Sequence, residues 1–350
     1  MSVITLPQLV VGGRKWTAWK RVSVQYGAEQ ASRAFAFTST DAGTFADRWS
    51  FMPGTEVSVQ ESGELLVKGF IDKMTPSFDA KNHHVELSGR SKSKDTIDSS
   101  VEHHKGEFRK KSILDIAKEL DKQGVGFASK LAAADLPKLD VFRINPHETV
   151  FQAVERIARK QQLLLIGQAD GSIKIDKGGD KIVNAPLIEG KNILAGSATF
   201  DESDKHSDYK VKGQKVFGSN KSALQITASA KDTSVKRQRT KTIAHDTATD
   251  KDTAKKRAEA HRDRQQGRSV SANIRVLGWR DDKGKLFEPN TIIPVYAPTL
   301  KLNMLMLIKS VNLTMDESGS FAALELAHPK ALNSKATTGS RTDSVWQPGF

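Results

Sequence analysis

Few residues in this sequence are placed as chemistry would require. Histidines occur as the adjacent pairs His83-His84 and His103-His104. A metal needs ligands converging on one point, but neighbours in an extended strand point to opposite faces, and neither pair has a carboxylate at ligand spacing. Surface or packing histidines are therefore expected. The stretch Gly213 to Ser222, GQKVFGSNKS, has the glycine spacing of a phosphate-cradling loop without the Lys-Ser/Thr pair that should follow at once, so a strand and turn are expected there. No HExxH or GxSxG occurs. There is no cysteine, which removes disulfides, thiolate zinc sites and thiol nucleophiles and fits assembly in a reducing cytoplasm. Carboxylates are common enough to leave a glycosidase pair open, yet nothing singles out one pair in a cleft. The expectation is a chain with no catalytic residue, no cofactor-binding residue and no metal ligand, and thus not an enzyme.

The elements that would position any site are those of a large chain. Its 350 residues exceed one ordinary core and suggest two or three packed units. No apolar run approaches the length of a membrane helix, and the N-terminal MSVITLPQLVVGGRKW lacks a basic leader and small-residue cleavage site, so neither membrane insertion nor signal-peptide secretion is expected. The net charge of +13 suggests a nucleic-acid partner. Ile226 to Arg268 holds twelve Lys/Arg against six Asp/Glu, but it has no aromatic residue to stack on bases and no groove-reading motif. A solvated loop and helix is the plainer expectation, with Lys236, Arg237 and Arg239 as the residues to neutralise in a DNA-binding test.

From Arg21 to Ser91 short segments alternate apolar and polar residues between Gly, Pro, Asp and Asn punctuation, predicting antiparallel hairpins with one buried face. Gly69 and Gly89-Arg90-Ser91 are expected to shape turns rather than touch a ligand. The period then changes. Ile113, Ile116, Ala117 and Leu120 share a helical face, with Ser112 and Asp115 in capping-box spacing; a second helix begins near Thr149 and runs out at Gln162. Leu163–Ile166, a turn at Asp170-Gly171 and Ser172–Ile175 predict a hairpin. Strands return at Ile193–Phe217, a helix at Asp252–Gln266 carries Ala254, Ala258 and His261 on one face, and strands follow over Val270–Val276 and Thr291–Leu326. Trp279 and Phe287 are expected in core or interface packing. Residues after Pro329 are Ser/Thr/Lys-rich, a flexible tail in which Trp346 could anchor a partner.

The last β segment repeats the first. Pro53-Gly-Thr-Glu-Val-Ser-Val59 aligns with Pro289-Asn-Thr-Ile-Ile-Pro-Val295, Phe70-Ile71 with Leu307-Ile308, Phe78-Asp79 with Met315-Asp316, and Val85-Glu-Leu87 with Leu324-Glu-Leu326. The expected fold is α+β, mainly β: two similar antiparallel β-barrel domains with an inserted α+β module. Its divisions are a first barrel at 1–101, the α+β module at 102–180, a β segment completing or linking the barrels at 181–225, the basic loop and helix at 226–268, a second barrel at 269–330 and the tail at 331–350. Three such chains would make a ring of six similar units, a means of matching a six-fold tube to a three-fold body.

In this order, the run Pro53-Gly-Thr-Glu-Val to Lys68-Gly69-Phe70-Ile71, then Leu87-Ser-Gly89-Arg90-Ser91 with Asp95, resembles the first barrel of the Mu-like baseplate hub and related late-control tail proteins. Glu148-Thr-Val-Phe-Gln-Ala-Val with Leu163-Leu-Leu-Ile and Asp170-Gly171 resembles that family's middle module, Ala254–Arg264 its basic helix, and Gly284-Lys-Leu-Phe-Glu-Pro-Asn290 to Leu307-Ile308 its second barrel. The resemblance covers most of residues 20–330; the tail after Pro329 lies outside the pattern. It implies a homotrimer, pseudo-hexameric through its barrels, in the virion tail baseplate after assembly in the host cytoplasm. It further implies tail tube protein or a tube initiator above, a central spike below, baseplate wedge proteins around, and transient lumen contact with tape-measure protein and DNA at genome ejection. Genome-free contractile injection machines share this part, and a nucleic-acid-binding protein or a tail-associated cell-wall hydrolase stay open as alternatives. Barrel edges and Thr291–Leu307 are the expected trimer contacts, since open strand edges invite pairing.

Overall fold

The computed structural model describes residues 6–40, 51–80, 83–179, 181–213, 226–244 and 251–332. Seven strands come first: β1 (Gln8–Val11), β2 (Arg14–Trp16), β3 (Arg21–Gly27), β4 (Ala34–Thr40), β5 (Glu56–Glu61), β6 (Glu64–Phe78) and β7 (His83–Ser91). Alternation decides their faces. In β3, Val22, Val24 and Tyr26 point inward while Arg21, Ser23 and Gln25 do not.

The α+β module follows with α1 (Lys94–Asp98), β8 (Glu107–Lys111), α2 (Ile113–Leu120), β9 (Phe127–Ser129), β10 (Leu139–Arg143), α3 (Val150–Gln161), β11 (Leu164–Gly167) and β12 (Ile173–Asp176). Both predicted helix starts carry capping boxes, Ser112 with Asp115 and Thr149 with Gln152. Their apolar stripes meet β9, β11 and β12 in a separate core built on Ile113, Ile116, Leu120, Val154, Ile157, Ile173 and Ile175.

Next are β13 (Leu187–Ile188), β14 (Ile193–Phe200), β15 (Asp208–Gly213), β16 (Ile226–Lys231), β17 (Thr240–Ala244), α4 (Lys251–Arg268), β18 (Val270–Leu277), β19 (Ile292–Ala297), β20 (Leu302–Asp316) and β21 (Gly319–Ala327). The basic segment is thus more than a loop and helix. β16 and β17 flank β15 in a small sheet, and α4 lays Ala254 and Ala258 on Val211, Ile226, Ala228 and Ala230. Alanine supplies most of that core, so its alternation is faint beside the lysines between.

The mainly β class is as expected, but the barrels are not closed. One thirteen-stranded sheet contains both β units, joined where β20 pairs antiparallel with β3 over Ser310–Met315 and Gly27–Val22. Each unit contains one long strand, β6 or β20, of 15 residues. The front half pairs with β5 or β19, leaving the rear half one side not covered by that strand among the described residues. In the second unit β3 of the first unit fills that side, so the sheet runs on and does not return upon itself. A single core spans the junction, from Leu9, Phe37, Leu66 and Ile71 to Ile274, Val295, Met306 and Leu324. Trp279 and Phe287 belong to it.

Candidate assembly interface

Strand order is the same in the two units: β3-β4-β7-β6-β5-β1 in the first and β14-β18-β21-β20-β19-β13 in the second. The last strand of this shared order differs in direction, β1 antiparallel to β5 and β13 parallel to β19, and β2 adds a further strand beyond β1 in the first unit alone among the described residues. Details repeat as well. Pairing slips at a bulge between Ile71 and Lys73 in β6, and between Ile308 and Ser310 in β20. Gly54 and Thr55 exchange backbone bonds with Ile71, at 2.8 and 3.1 Å; Asn290 and Thr291 do the same with Ile308, both at 2.8 Å. Gly54 and Asn290 both have positive φ, which explains glycine in one copy and asparagine in the other. Rungs counted from the bulges equate Leu87 with Leu324, two residues from the sequence alignment of Val85–Leu87 on Leu324–Leu326. A two-residue slip leaves every side chain on its own face and is invisible to alternation.

Charge pairs brace each bulge. Asp72 receives Arg90 Nε at 2.9 Å and is bridged by Lys94 of α1, while Lys309 at the equivalent place meets Glu325 at 3.0 Å. Burial pushes the Asp72 carboxyl up, and hydrogen bonds from Lys94 and Arg90 more than reverse this, holding it below the usual carboxylate range.

Buried Arg33 ties three parts of the chain together. Its Nε donates to Gly167 O of the α+β module at 3.1 Å and its Nη1 to Leu66 O of β6 at 3.1 Å; Nη2 reaches Glu288 of the second unit at 3.4 Å. Its guanidinium lies 4.4 Å from the ring centroid of Tyr26, whose hydroxyl donates to Phe287 O at 2.9 Å. Burial pushes the Glu288 carboxyl up, and Arg33 offsets part of that shift. A second tie joins Arg280 to Glu61 and, at 2.8 Å, to Glu64. The module docks by backbone as well, Gly167 N to Gln30 O and Lys68 N to Ala169 O. A Cβ on Gly167 would lie 2.5 Å from Ala31 O, so that approach requires glycine.

The residues expected to do no chemistry fall as follows. His83 stacks on Phe78, and His103 contacts Glu119 at 3.3 Å with its ring 5.8 Å from that of His104. Among the described residues no three His, Asp or Glu side chains group as a metal site. Residues 214–222 of the glycine-spaced stretch, and Trp346, lie outside the described residues. Gly69 and Gly89 sit inside strands rather than at turns. A Cβ on Gly69 would lie 2.0 Å from Arg90 O, and one on Gly89 2.4 Å from the Phe35 ring. Lys236 and Arg237 are exposed, and Arg239 donates to Glu202 O and Ser203 O. Burial and the charges of Arg264, Arg257 and Lys241 push the His261 imidazole down, a mark of local positive potential around α4. No helix among the described residues is long and apolar enough to cross a membrane.

The features that sequence reasoning missed are Arg33, Glu288 and Arg280. A charged residue brings no periodic signal of its own burial, and the partners that tie the units together lie far along the chain, Gly167 and Glu288 at 134 and 255 positions from Arg33 and Glu61 at 219 from Arg280.

Three family profiles match in chain order. Residues 7–91 match Mu phage baseplate assembly protein GpP-like, N-terminal; residues 93–177 match baseplate hub protein gp44-like, second domain; residues 250–335 match Mu phage baseplate assembly protein GpP, fourth domain. Baseplate hub protein gp44 of Escherichia phage Mu is 26% identical over 330 residues, 90% of this chain and 86% of that protein. The 43 kDa tail protein of prophage MuSo2 from Shewanella oneidensis superposes with TM-score 0.82 at 25% identity, covering 93% of this chain and 99% of the other. A tail protein from Neisseria meningitidis MC58 shares the fold, with TM-score 0.78 at 18% identity over 95% and 100% of the two chains.

Proposed function

Because the chain belongs to the Mu-like phage baseplate hub family, we propose that it works as a homotrimer whose six β units match the six-fold tail tube on one side and the three-fold central spike on the other. Its coarse role follows from the family: a structural hub of the tail baseplate, in the virion, assembling with tail and spike components. The finer arrangement is our reading. It has tube protein or a tube initiator above, wedge proteins around, a lumen for tape-measure protein and DNA, and assembly in the host cytoplasm before genome ejection. The single observation behind it is the repeat, two β units alike to the bulge and its flanking bonds, because one chain with two equivalent units lets three copies offer six similar contacts. Within this reading residues 1–101 and 269–330 with its flanking strands are the tube-like units, and 102–180 is a module on the ring.

The hub carries no catalytic task in this account, and peptidoglycan cutting belongs to another subunit. Neither the hydrolase nor the nucleic-acid alternative is favoured by the relatives. Two experiments test the reading. Gold-labelled antibody to this chain should mark purified tail particles at the baseplate end; label along the whole tube or on the head would overturn it. Purified protein should clear no peptidoglycan in a zymogram, and clearing in proportion to protein added would make it an enzyme.

A further inference from the structure

Between α3 of the α+β module and the last turn of α4 the chain leaves a cleft of about 610 Å3. α3 uses two stripes. Val150, Ala153, Val154 and Ile157 enter the module core, whereas Phe151, Glu155, Ala158, Arg159 and the capping residue Gln162 line the cleft. The spacing of the second set makes one continuous helical face, about three turns and about 16 Å long. Opposite it stand Arg264, Gly267 and Arg268 of α4, and Val270 of β18 and Ala327 of β21 contribute to the floor. Phe151, Leu164, Val270 and Leu332 are only half-buried there, so apolar surface is left open to water. The wall at α4 is fixed. A Cβ on Gly267 would lie 2.3 Å from Ala331 Cα, so the turn Pro329–Ala331 packs on the helix backbone, and Lys330 Nζ donates to Gln266 Oε1 at 3.0 Å. The cleft is therefore formed before anything enters it.

Its charge is one-sided. Arg159, Arg264, Arg268, Lys309 and Lys330 line it against Glu29, Glu155 and Glu325. All three carboxylates are engaged, Glu155 with Arg159 at 2.7 Å and Glu325 and Glu29 with Lys309 at 3.0 and 3.8 Å. Lys330 meets a neutral amide, and Arg264 and Arg268 are exposed and pair with no carboxylate among the described residues. Three cations thus border an apolar floor without a counter-charge.

We propose that this cleft seats an acidic amphipathic segment of another tail protein, with its apolar residues on Phe151, Leu164 and Val270 and its carboxylates on Arg264, Arg268 and Lys330. The inference rests on the hub reading above, since an assembled tail supplies the partner, and adds to it a surface and the partner's chemistry. A short helix laid along α3 would bury one apolar stripe and keep its charged flank at the rim. Arginines at a rim steer an incoming acidic segment and discriminate against basic ones. Charge also decides against the chain's own end, because residues 333–350 carry Lys335 and Arg341 against Asp343 alone. A nucleic acid would satisfy the arginines but brings no aliphatic side chain for the floor.

Photo-cross-linking tests this in the assembled tail. With p-benzoylphenylalanine in place of Arg159, irradiated tail particles should yield a cross-link, mapped by mass spectrometry, to a segment of another tail protein in which Asp and Glu outnumber Lys and Arg. Arg264→Glu with Arg268→Glu should lower its yield by about tenfold or more, and Lys236→Glu with Arg237→Glu, outside the cleft, should change it less than about twofold. If the first pair prevents tail assembly, the mapped segment is synthesised with a fluorescent label and titrated against the purified full-length chain, where the same about tenfold loss of affinity is expected while the circular dichroism spectrum is unchanged. A cross-link to residues 333–350, to a second copy of this chain, to DNA or to a basic segment would overturn the proposal, as would no cross-link or one indifferent to the arginines. Particles that carry the chain at the baseplate and give one of those results leave the hub reading standing; if the chain is absent from the baseplate, both fall.

Discussion

At the residue scale the fold depends on a few polar contacts between distant parts. Replacing Arg33 by Met removes the donor to two buried carbonyls, so urea unfolding should show a loss of about 2 kcal/mol or more. Gly89→Ala tests a different constraint. Its Cβ would enter the Phe35 ring, and a cost of about 1–3 kcal/mol is expected from overpacking alone. Asp72 gives a dependence on pH. Its folded carboxyl titrates below the ordinary range, so it contributes stability above the unfolded pKa that is lost as pH falls through the folded one. Asp72→Asn should therefore flatten the acid side of the stability profile, read from urea midpoints between about pH 5 and pH 2; an unchanged slope would show that its ties to Lys94 and Arg90 do not hold in solution. None of these residues could be picked out by inspection. Arg33 and Asp72 look like ordinary surface charges in sequence, and Gly89 reads as turn punctuation although it marks close strand approach.

At the element scale legibility followed the strength of the periodic signal. The helices α2 and α3 were readable to within a residue or two because each joins an apolar stripe to a capping box. Ile157→Ala on the buried face of α3 should cost about 2–5 kcal/mol, as a fully enclosed aliphatic side chain typically does, measured by denaturant unfolding. The sheet under α4 was not readable, since alanines packed between lysines produce little hydrophobic contrast and β15 lies far along the chain from β17. Strand existence in the two β units was plain from alternation. Closure was not, because barrel and open sheet share the same alternation and differ only in which edges meet. The repeat was legible in sequence through Gly54/Asn290 and Ile71/Ile308, and its last segment slipped by two because nothing in a period of two forbids it.

At the scale of the whole molecule, an internal duplication and a sheet left open among the described residues are what the proposed ring of three copies requires. The +13 charge would suit the proposed channel for a polyanion, and α4 holds seven Lys/Arg against three Asp/Glu, a net four of those charges. Neutralising Lys236, Arg237 and Arg239 together should leave assembly intact and weaken any salt-dependent DNA retention only modestly, because sequence-independent contacts in a channel must let a strand slide. The claim that everything else depends on is the trimer with six similar units. Its most direct test is the mass of the purified chain by light scattering, with class averages from electron micrographs of the same sample. The trimer should appear as a particle of three times 38.4 kDa with a central opening and an apparent six-fold outline. A compact monomer that persists at high concentration, or a closed particle with a number of copies other than three, would contradict it.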